Sequence, residues 1–154
     1  MTKSALAKHS KDQKATILVI EDNDDQWFLI RLALQQRFPE VEAVWMSDKA
    51  QVMTYLEECV QNLRELPRLI LLDLYLPYRQ YGWDLLESLK THHVYREMPV
   101  ILLSQSSDAE DISESYALRG NSYIVKPCAY EKWLACISSI RQYWWDAVTL
   151  PKYI

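Results

Sequence analysis

Glycine is scarce in this chain, which holds only Gly82 and Gly120 among its 154 residues. Both are predicted to lie at turns, so the sequence offers no run of glycines that could cradle the phosphates of a nucleotide. Cysteine is nearly as rare: Cys59, Cys128 and Cys136 form no CxxC pair, and their number is odd. A disulfide framework is therefore not indicated, and a reduced, cytoplasmic setting is favoured.

Long apolar runs and an excess of positive charge are also missing. No apolar stretch approaches the ~18 residues of a membrane span, so no membrane partner is expected. The net charge of −4 hides a contrast, because residues 1–14 carry four lysines against Asp12 alone and the remainder is about −7. Such an acidic body argues against binding to nucleic acid. Residues 1–14 lack the apolar core of a signal peptide and are predicted to form a flexible tail.

Short apolar runs are what the sequence does contain. "TILVI" (16–20), "RLILL" (68–72) and "PVILL" (99–103) are typical of strands buried on both faces of a parallel sheet. The segment "VEAVWM" (41–46) alternates and suits a strand nearer an edge, while "SYIVKP" (122–127) is short, β-branched and stopped by proline.

Helical segments separate these strands and follow the last one. They are predicted over residues 24–37, over 48–64 after a Ser47 cap, over 83–91 after Gly82, from the capping box "SDAE" (107–110) to Gly120, and over about 129–146. This strict alternation predicts one domain of the α/β class. We expect a flavodoxin-like (βα)5 doubly wound parallel sheet with the strand order 2-1-3-4-5.

Polar side chains follow the strands at their carboxyl ends, where open α/β sheets bind ligands. In chain order they are Glu21, Asp22, Asp73, Ser104 and Lys126. Carboxylates held within ~4–6 Å raise one another's pKa unless a positive charge lies between them. Asp22 and Asp73, with a backbone carbonyl, offer the hard oxygen ligands that Mg²⁺ prefers, and Lys126 adds a fixed positive charge. An aspartate between a metal ion and an amine is suited to phosphoryl transfer, with Ser104 free to bond a phosphoryl oxygen.

The ordered motifs "VIED", "LLDLYLP", "VILLS" and "YIVKP" resemble the receiver domain of two-component response regulators over residues 15–147. The resemblance implies that Asp73 is the phospho-acceptor. It also implies a Mg²⁺ (or Mn²⁺) ion bound by Asp22, by Asp73, by the backbone carbonyl of Tyr75 and, through water, by Glu21. In the same way, Ser104 and Tyr123 match the family's switch pair.

The resemblance extends to the surroundings of the acceptor. Lys126 matches the family's lysine, which a cis proline usually follows, as Pro127 would. Gln105 stands where the family normally has a small residue that guards access to the phosphoryl group. Tyr75 and Ser106 occupy positions that tune dephosphorylation, and a bulky Tyr75 predicts slow self-hydrolysis.

A narrower resemblance links the chain to the stand-alone regulators that partner phytochrome-type histidine kinases. It is carried by "REMPVILLSQSSDAEDI" and by a last helix ending in "QYWWDAVTLP" (142–151). The implied partner is a sensor histidine kinase, of the phytochrome type, or a phosphotransfer protein. The last helix carries more aromatic surface than one stripe can bury, which favours an interface. The resemblance to receivers implies that this interface is a homodimer contact through the helix 4–strand 5–helix 5 face, and we expect the extension 148–154 to take part. The aromatic residues are Tyr130, Trp133, Tyr143, Trp144 and Trp145.

Three other interpretations compete with this one. A haloacid-dehalogenase-like phosphatase also uses Asp, Ser/Thr and Lys, but that family places a second aspartate where Tyr75 stands. A flavodoxin-like cofactor carrier needs a Ser/Thr/Gly-rich phosphate loop after strand one, where "EDNDDQ" (21–26) would repel a phosphate. A receiver fold that binds partners without phosphorylation is the third.

Overall fold

The structure, a computed structural model, describes residues 14–151, so the predicted tail lies almost wholly outside the described residues. Its sheet is parallel and has the strand order β2-β1-β3-β4-β5. This order confirms the predicted flavodoxin-like fold. None of the described helices is long and apolar enough to cross a membrane. The strands are β1 (Ala15–Ile20), β2 (Val41–Met46), β3 (Leu69–Asp73), β4 (Val100–Ser104) and β5 (Ser122–Val125).

Helices cover both faces of this sheet. Residues of β1, β3 and β4 that point to one face pack with α2 and α3, and those that point to the other pack with α1 and α5. Because both faces are covered, β3 and β4 are buried along their whole length, which is why they read as continuous apolar runs. The helices are α1 (Asp24–Arg37), α2 (Lys49–Gln61), α3 (Arg79–Thr91), α4 (Ala109–Ala117) and α5 (Tyr130–Arg141).

Two predicted helix caps are off by one residue. Asp48, rather than Ser47, caps α2 by accepting a hydrogen bond from the Gln51 amide at 2.9 Å. In "SDAE" the serine was the predicted cap, but Asp108 caps α4 by accepting a hydrogen bond from the Glu110 amide at 3.2 Å. In both pairs a serine precedes an aspartate, and the two residue types cap about equally well. The sequence alone therefore did not decide between neighbours.

Gly82 was predicted to lie at a turn that precedes the helix, but it lies inside α3. The helix begins at Arg79, three residues before Gly82. A Cβ atom at Gly82 would lie 1.9 Å from the carbonyl oxygen of Leu74. Glycine is thus required here by the close packing of α3 against the segment that follows β3. Gly120 does follow a helix, as predicted, and its amide donates to the carbonyl of Ser115.

The helix α4 differs from the other four in what it buries. Its only buried residues are Asp111 and Ser115, both polar. The other helices each bury aliphatic side chains in one of the two cores. The position of α4 on the sheet therefore depends mainly on the polar contacts of these two side chains.

The last helix continues from α5 into a π-helical turn, Gln142–Ala147. Trp133 is buried, and Trp145 packs edge-on against Phe38 at 5.3 Å, with the Arg68 guanidinium 4.3 Å from its ring centroid. Much of the aromatic surface that the sequence suggested was surplus is thus used to cover the core. Tyr143 remains 57% exposed.

Candidate functional site

Three acidic side chains meet at the carboxyl end of the sheet. Glu21 and Asp73 are 1% and 6% exposed, while Asp22 lies on the surface. One carboxylate oxygen from each lies within 4.8 Å of the others. With Lys126 they line a cavity of about 510 Å³. The acids that the sequence predicted to converge are therefore brought together.

Lys126 lies beside two of these carboxylates. Its Nζ donates to Glu21 Oε2 at 2.7 Å and lies 3.3 Å from Asp73 Oδ2. The Lys126 amide donates to the carbonyl of Ser104 at 2.7 Å, which fixes the residue to the end of β4. A buried ammonium between buried carboxylates compensates part of their desolvation.

Burial raises the pKa values of all three acids, because a buried carboxylate loses its hydration. Desolvation, and then the charge of Asp73, raise the pKa of Glu21 to about 7 against the opposing effect of Lys126. Desolvation also raises the pKa of Asp73. For Asp22, desolvation and then the charge of Glu21 raise the pKa. One ammonium does not balance three carboxylates, so a second cation is favoured here.

The donor set fits a small divalent ion. Three carboxylates supply hard oxygen ligands, and the open cavity leaves room for the waters that Mg²⁺ retains. The same oxygens suit Mn²⁺. Tyr75 lines the cavity, and its amide donates to Asp73 Oδ1 at 3.2 Å.

Ser104 and Tyr123 meet at a third residue, Ser106. The Ser104 Oγ is buried and accepts a hydrogen bond from the Ser106 amide at 3.1 Å. The Tyr123 hydroxyl donates to the Ser106 carbonyl at 2.8 Å. The segment after β4 is thus held twice, by Ser104 at the end of β4 and by Tyr123 on β5. Gln105 is exposed and lines the cavity.

Two partners of the site were missed by the sequence analysis. The Tyr75 hydroxyl donates to Asp111 Oδ2 at 2.7 Å, 36 residues along the chain. The Trp45 indole donates to the carbonyl of Glu21 at 2.7 Å and stacks on Trp27 with the ring centroids 5.6 Å apart. An acid in the first turn of a helix is ordinary, and so is a tryptophan on an edge strand, so neither carries a local signal.

The expectation of a cis peptide bond before Pro127 is wrong. Among the described residues, the cis bond precedes Pro77. The trans isomer is the intrinsically favoured one for a bond to proline. With this bond trans, Lys126 already reaches both Glu21 and Asp73.

Comparison with known families agrees with this geometry. The profile of the response regulator receiver domain matches residues 17–138. The chain belongs to the response regulator receiver family. A receiver is a signalling domain rather than a classical enzyme, and this assignment confirms the resemblance drawn from the ordered motifs.

Among curated proteins, the receiver is similar to the probable methanogenesis regulatory protein FilR2 of Methanothrix harundinacea. The two are 32% identical over 128 residues, which cover 83% of this chain and 82% of that protein. It is also similar to the response regulator Rcp1 of Synechocystis, with 29% identity over 136 residues, 88% of this chain and 92% of that protein.

Solved structures give the same result. The phosphorylated cyanobacterial phytochrome response regulator RcpA is 32% identical, with a TM-score of 0.80 and coverage of 91% of this chain and 100% of that one. The Mn²⁺-bound form of Rcp1 is 28% identical, with a TM-score of 0.77, and the match covers 90% of this chain and 99% of that one. The narrower resemblance to phytochrome-associated regulators is thereby confirmed.

Proposed function

We propose that this receiver accepts a phosphoryl group on Asp73 from the phosphohistidine of a sensor histidine kinase, or from a phosphotransfer protein. Residues 15–147 form the receiver unit in this proposal. The observation that carries it is the position of Asp73, buried at the end of β3 beside two further carboxylates, with the Lys126 ammonium at 3.3 Å. No other described group of three acids could hold a metal ion in this way.

The transfer follows from this arrangement. A carboxylate oxygen of Asp73 attacks phosphorus in line, a P–O bond forms, and the P–N bond to the donor imidazole breaks, with its electron pair returning to the ring nitrogen. Lys126 neutralises charge on the phosphoryl oxygens. Asp22, Asp73, the Tyr75 carbonyl and, through water, Glu21 would hold Mg²⁺ or Mn²⁺, which when bound supplies further neutralisation of those oxygens.

Ser106 connects this chemistry to the surface. When Ser104 turns to donate to a phosphoryl oxygen, its Oγ leaves the Ser106 amide. The loop then moves, and Tyr123, already half-buried and bonded to the Ser106 carbonyl, packs further inward with it. Moving a two-state population from mostly off to mostly on takes about 5.5 kcal/mol, so phosphorylation must favour the new arrangement by several bonds.

The surface that changes is the α4–β5–α5 face, and we propose that it forms a homodimer. Val125 and Tyr116 on this face are 45% and 48% exposed. Residues 148–151 of the extension are described and residues 152–154 lie outside the described part of the chain. A cytoplasmic location and a phytochrome-type kinase belong to the same proposal, supported by the three free cysteines and by the similarity to RcpA and Rcp1.

The test is intact mass after incubation with acetyl phosphate and Mg²⁺. We expect one phosphoryl group on the chain, none after addition of EDTA, and none in Asp73→Asn. Asp84→Asn, which changes an exposed aspartate on α3, is the matched control and should be labelled like the unchanged protein. Light scattering on the same samples should show a larger mass for the labelled form if phosphorylation drives dimerisation.

A negative result would separate two explanations. Gln105→Ala restores labelling if the glutamine side chain only blocks the donor. Failure of both proteins to label, with Mg²⁺ bound, would refute the proposal and favour a receiver that binds its partners without phosphorylation. The phosphatase alternative has no support, because Tyr75 occupies the place of its second aspartate.

A further inference from the structure

Asp111 is a buried acid that the transfer chemistry does not use. It is 1% exposed, on the helix that buries no apolar side chain. Ser115, the other buried residue of α4, accepts a hydrogen bond from the Trp83 indole at 3.2 Å. A helix attached in this way keeps its position only while its polar partners stay in place.

Two side-chain partners of the Asp111 carboxylate come from the segment that follows β3, and the Ser106 side chain, which follows β4, also interacts with it. Oδ2 accepts from the Tyr75 hydroxyl at 2.7 Å, and Oδ1 accepts from the Arg79 guanidinium at 2.8 Å. Arg79 in turn lies over the Trp83 ring, 5.0 Å from its centroid. These bonds join α4 to a residue only two positions after the phospho-acceptor.

Tyr75 is also a wall of the Asp73 cavity. Its side chain is 38% exposed, so packing alone does not fix its direction. A hydrogen bond to a buried carboxylate is stronger than one between neutral groups and restricts the rotamer of the ring. Asp111 therefore determines where the Tyr75 ring lies relative to the mouth of the cavity.

We propose that Asp111 is a positioning residue that holds Tyr75 over the Asp73 cavity, limits access of water to the aspartyl phosphate, and links α4 to the occupancy of the site. The inference rests on the proposed function. In the hydrolysis, a water oxygen attacks phosphorus and the P–O bond to Asp73 breaks. Inorganic phosphate leaves, Asp73 regains its carboxylate, and the proton of the water passes to solvent.

The experiment follows decay of the phosphorylated full chain by intact mass, after rapid removal of acetyl phosphate. Tyr75→Phe keeps the ring and removes the hydroxyl, and Asp111→Ala removes the acceptor. We expect each to decay roughly ten- to a hundredfold faster, since one hydrogen bond to a charged group is worth about a factor of this size. The double variant should decay no faster than either single one, because both remove the same bond. Tyr78→Phe, at a tyrosine that is 66% exposed, should leave the decay unchanged.

Several results would overturn the inference. If the labelled single variants lose their phosphoryl group at the rate of the unchanged protein, Asp111 has no positioning role. If the double variant decays by the product of the two single accelerations, Asp111 does not act through Tyr75 and affects the decay only through stability. Mg²⁺ affinity is measured alongside and should not change. Where Asp111→Ala does not fold, Asp111→Asn keeps one acceptor oxygen, and its decay must fall between the unchanged protein and Tyr75→Phe. Absence of label on both the unchanged protein and Gln105→Ala would refute the proposed function itself, and this result differs from labelled variants whose decay is unchanged.

Discussion

Replacing Glu21 by glutamine should stabilise the metal-free protein at neutral pH. The residue is 1% exposed, and the pKa of its carboxyl rises from the usual 4.5 to about 7. A difference of that size, at ~1.4 kcal/mol per pH unit, means that keeping Glu21 ionised costs the folded state about 3 kcal/mol at pH 7.5. The Glu21 carboxylate accepts hydrogen bonds from the Lys126 ammonium at 2.7 Å and from the Asn23 amide at 3.2 Å. Glutamine removes the cost of ionisation but offers only one acceptor oxygen to these two donors, which costs about 1 kcal/mol. We therefore expect a net gain of about 2 kcal/mol.

The sign of the pH dependence follows from the same shift. Between pH 7 and pH 4.5 the folded state binds a proton on Glu21 that the unfolded state does not bind. The unchanged protein therefore gains stability as the pH falls through about 7, and the advantage of Glu21→Gln should disappear near pH 5.

Urea denaturation in EDTA, at pH 7.5 and at pH 5, measures both quantities. At pH 7.5 the variant should unfold at a higher urea midpoint, with a melting temperature roughly 4–8 °C higher. Glu58→Gln, an exposed glutamate on α2, is the control and should change stability by less than about 0.5 kcal/mol. An unchanged or lower midpoint for Glu21→Gln at pH 7.5, or an equal gain at both pH values, would refute the electrostatic account of the cluster.

Two further substitutions test buried contacts that hold the fold together. Lys90→Met should lower the free energy of unfolding by about 2–4 kcal/mol in urea, because the buried ammonium donates to the carbonyls of Arg96 and Met98 and to Asn121 Oδ1. The exposed pair of Lys49 with Asp84 should contribute at most about 1 kcal/mol, and an equal effect of Lys49→Met would contradict this ranking. Gly82→Ala should cost roughly 2–3 kcal/mol despite the helix propensity of alanine, since its Cβ meets a backbone oxygen; a raised midpoint by circular dichroism would contradict it.

The strands and the acids at their ends were accessible from the sequence for a physical reason. A strand buried on both faces must be apolar throughout, so β3 stands out, and Asp73 marks the place where burial gives way to a site. Parallel order then brings Glu21, Asp73 and Lys126 to one edge without any knowledge of side-chain geometry.

The remaining details depend on tertiary contacts that no local pattern records. Gly82 looks like a turn residue until α3 is placed against Leu74. Asp111 looks like a solvated acid in a first helical turn until Tyr75 and Arg79 approach it. Likewise, the meeting of Ser104 and Tyr123 at Ser106 needs the register of β4 and β5, in which Ser104 pairs with Val125.

The hydrogen bond from the Trp45 indole to the carbonyl of Glu21 has an optical consequence. Indole emission responds to the electric field across its ring, and this ring is bonded to the residue that precedes Asp22. Trp27, stacked on it, shares the same environment. Cation binding and phosphoryl transfer both change the charge on the acidic cluster to which Glu21 belongs. Among the six tryptophans of the chain, Trp45 and Trp27 are therefore the ones whose emission we expect to respond to occupancy of the site, without a dye or a label.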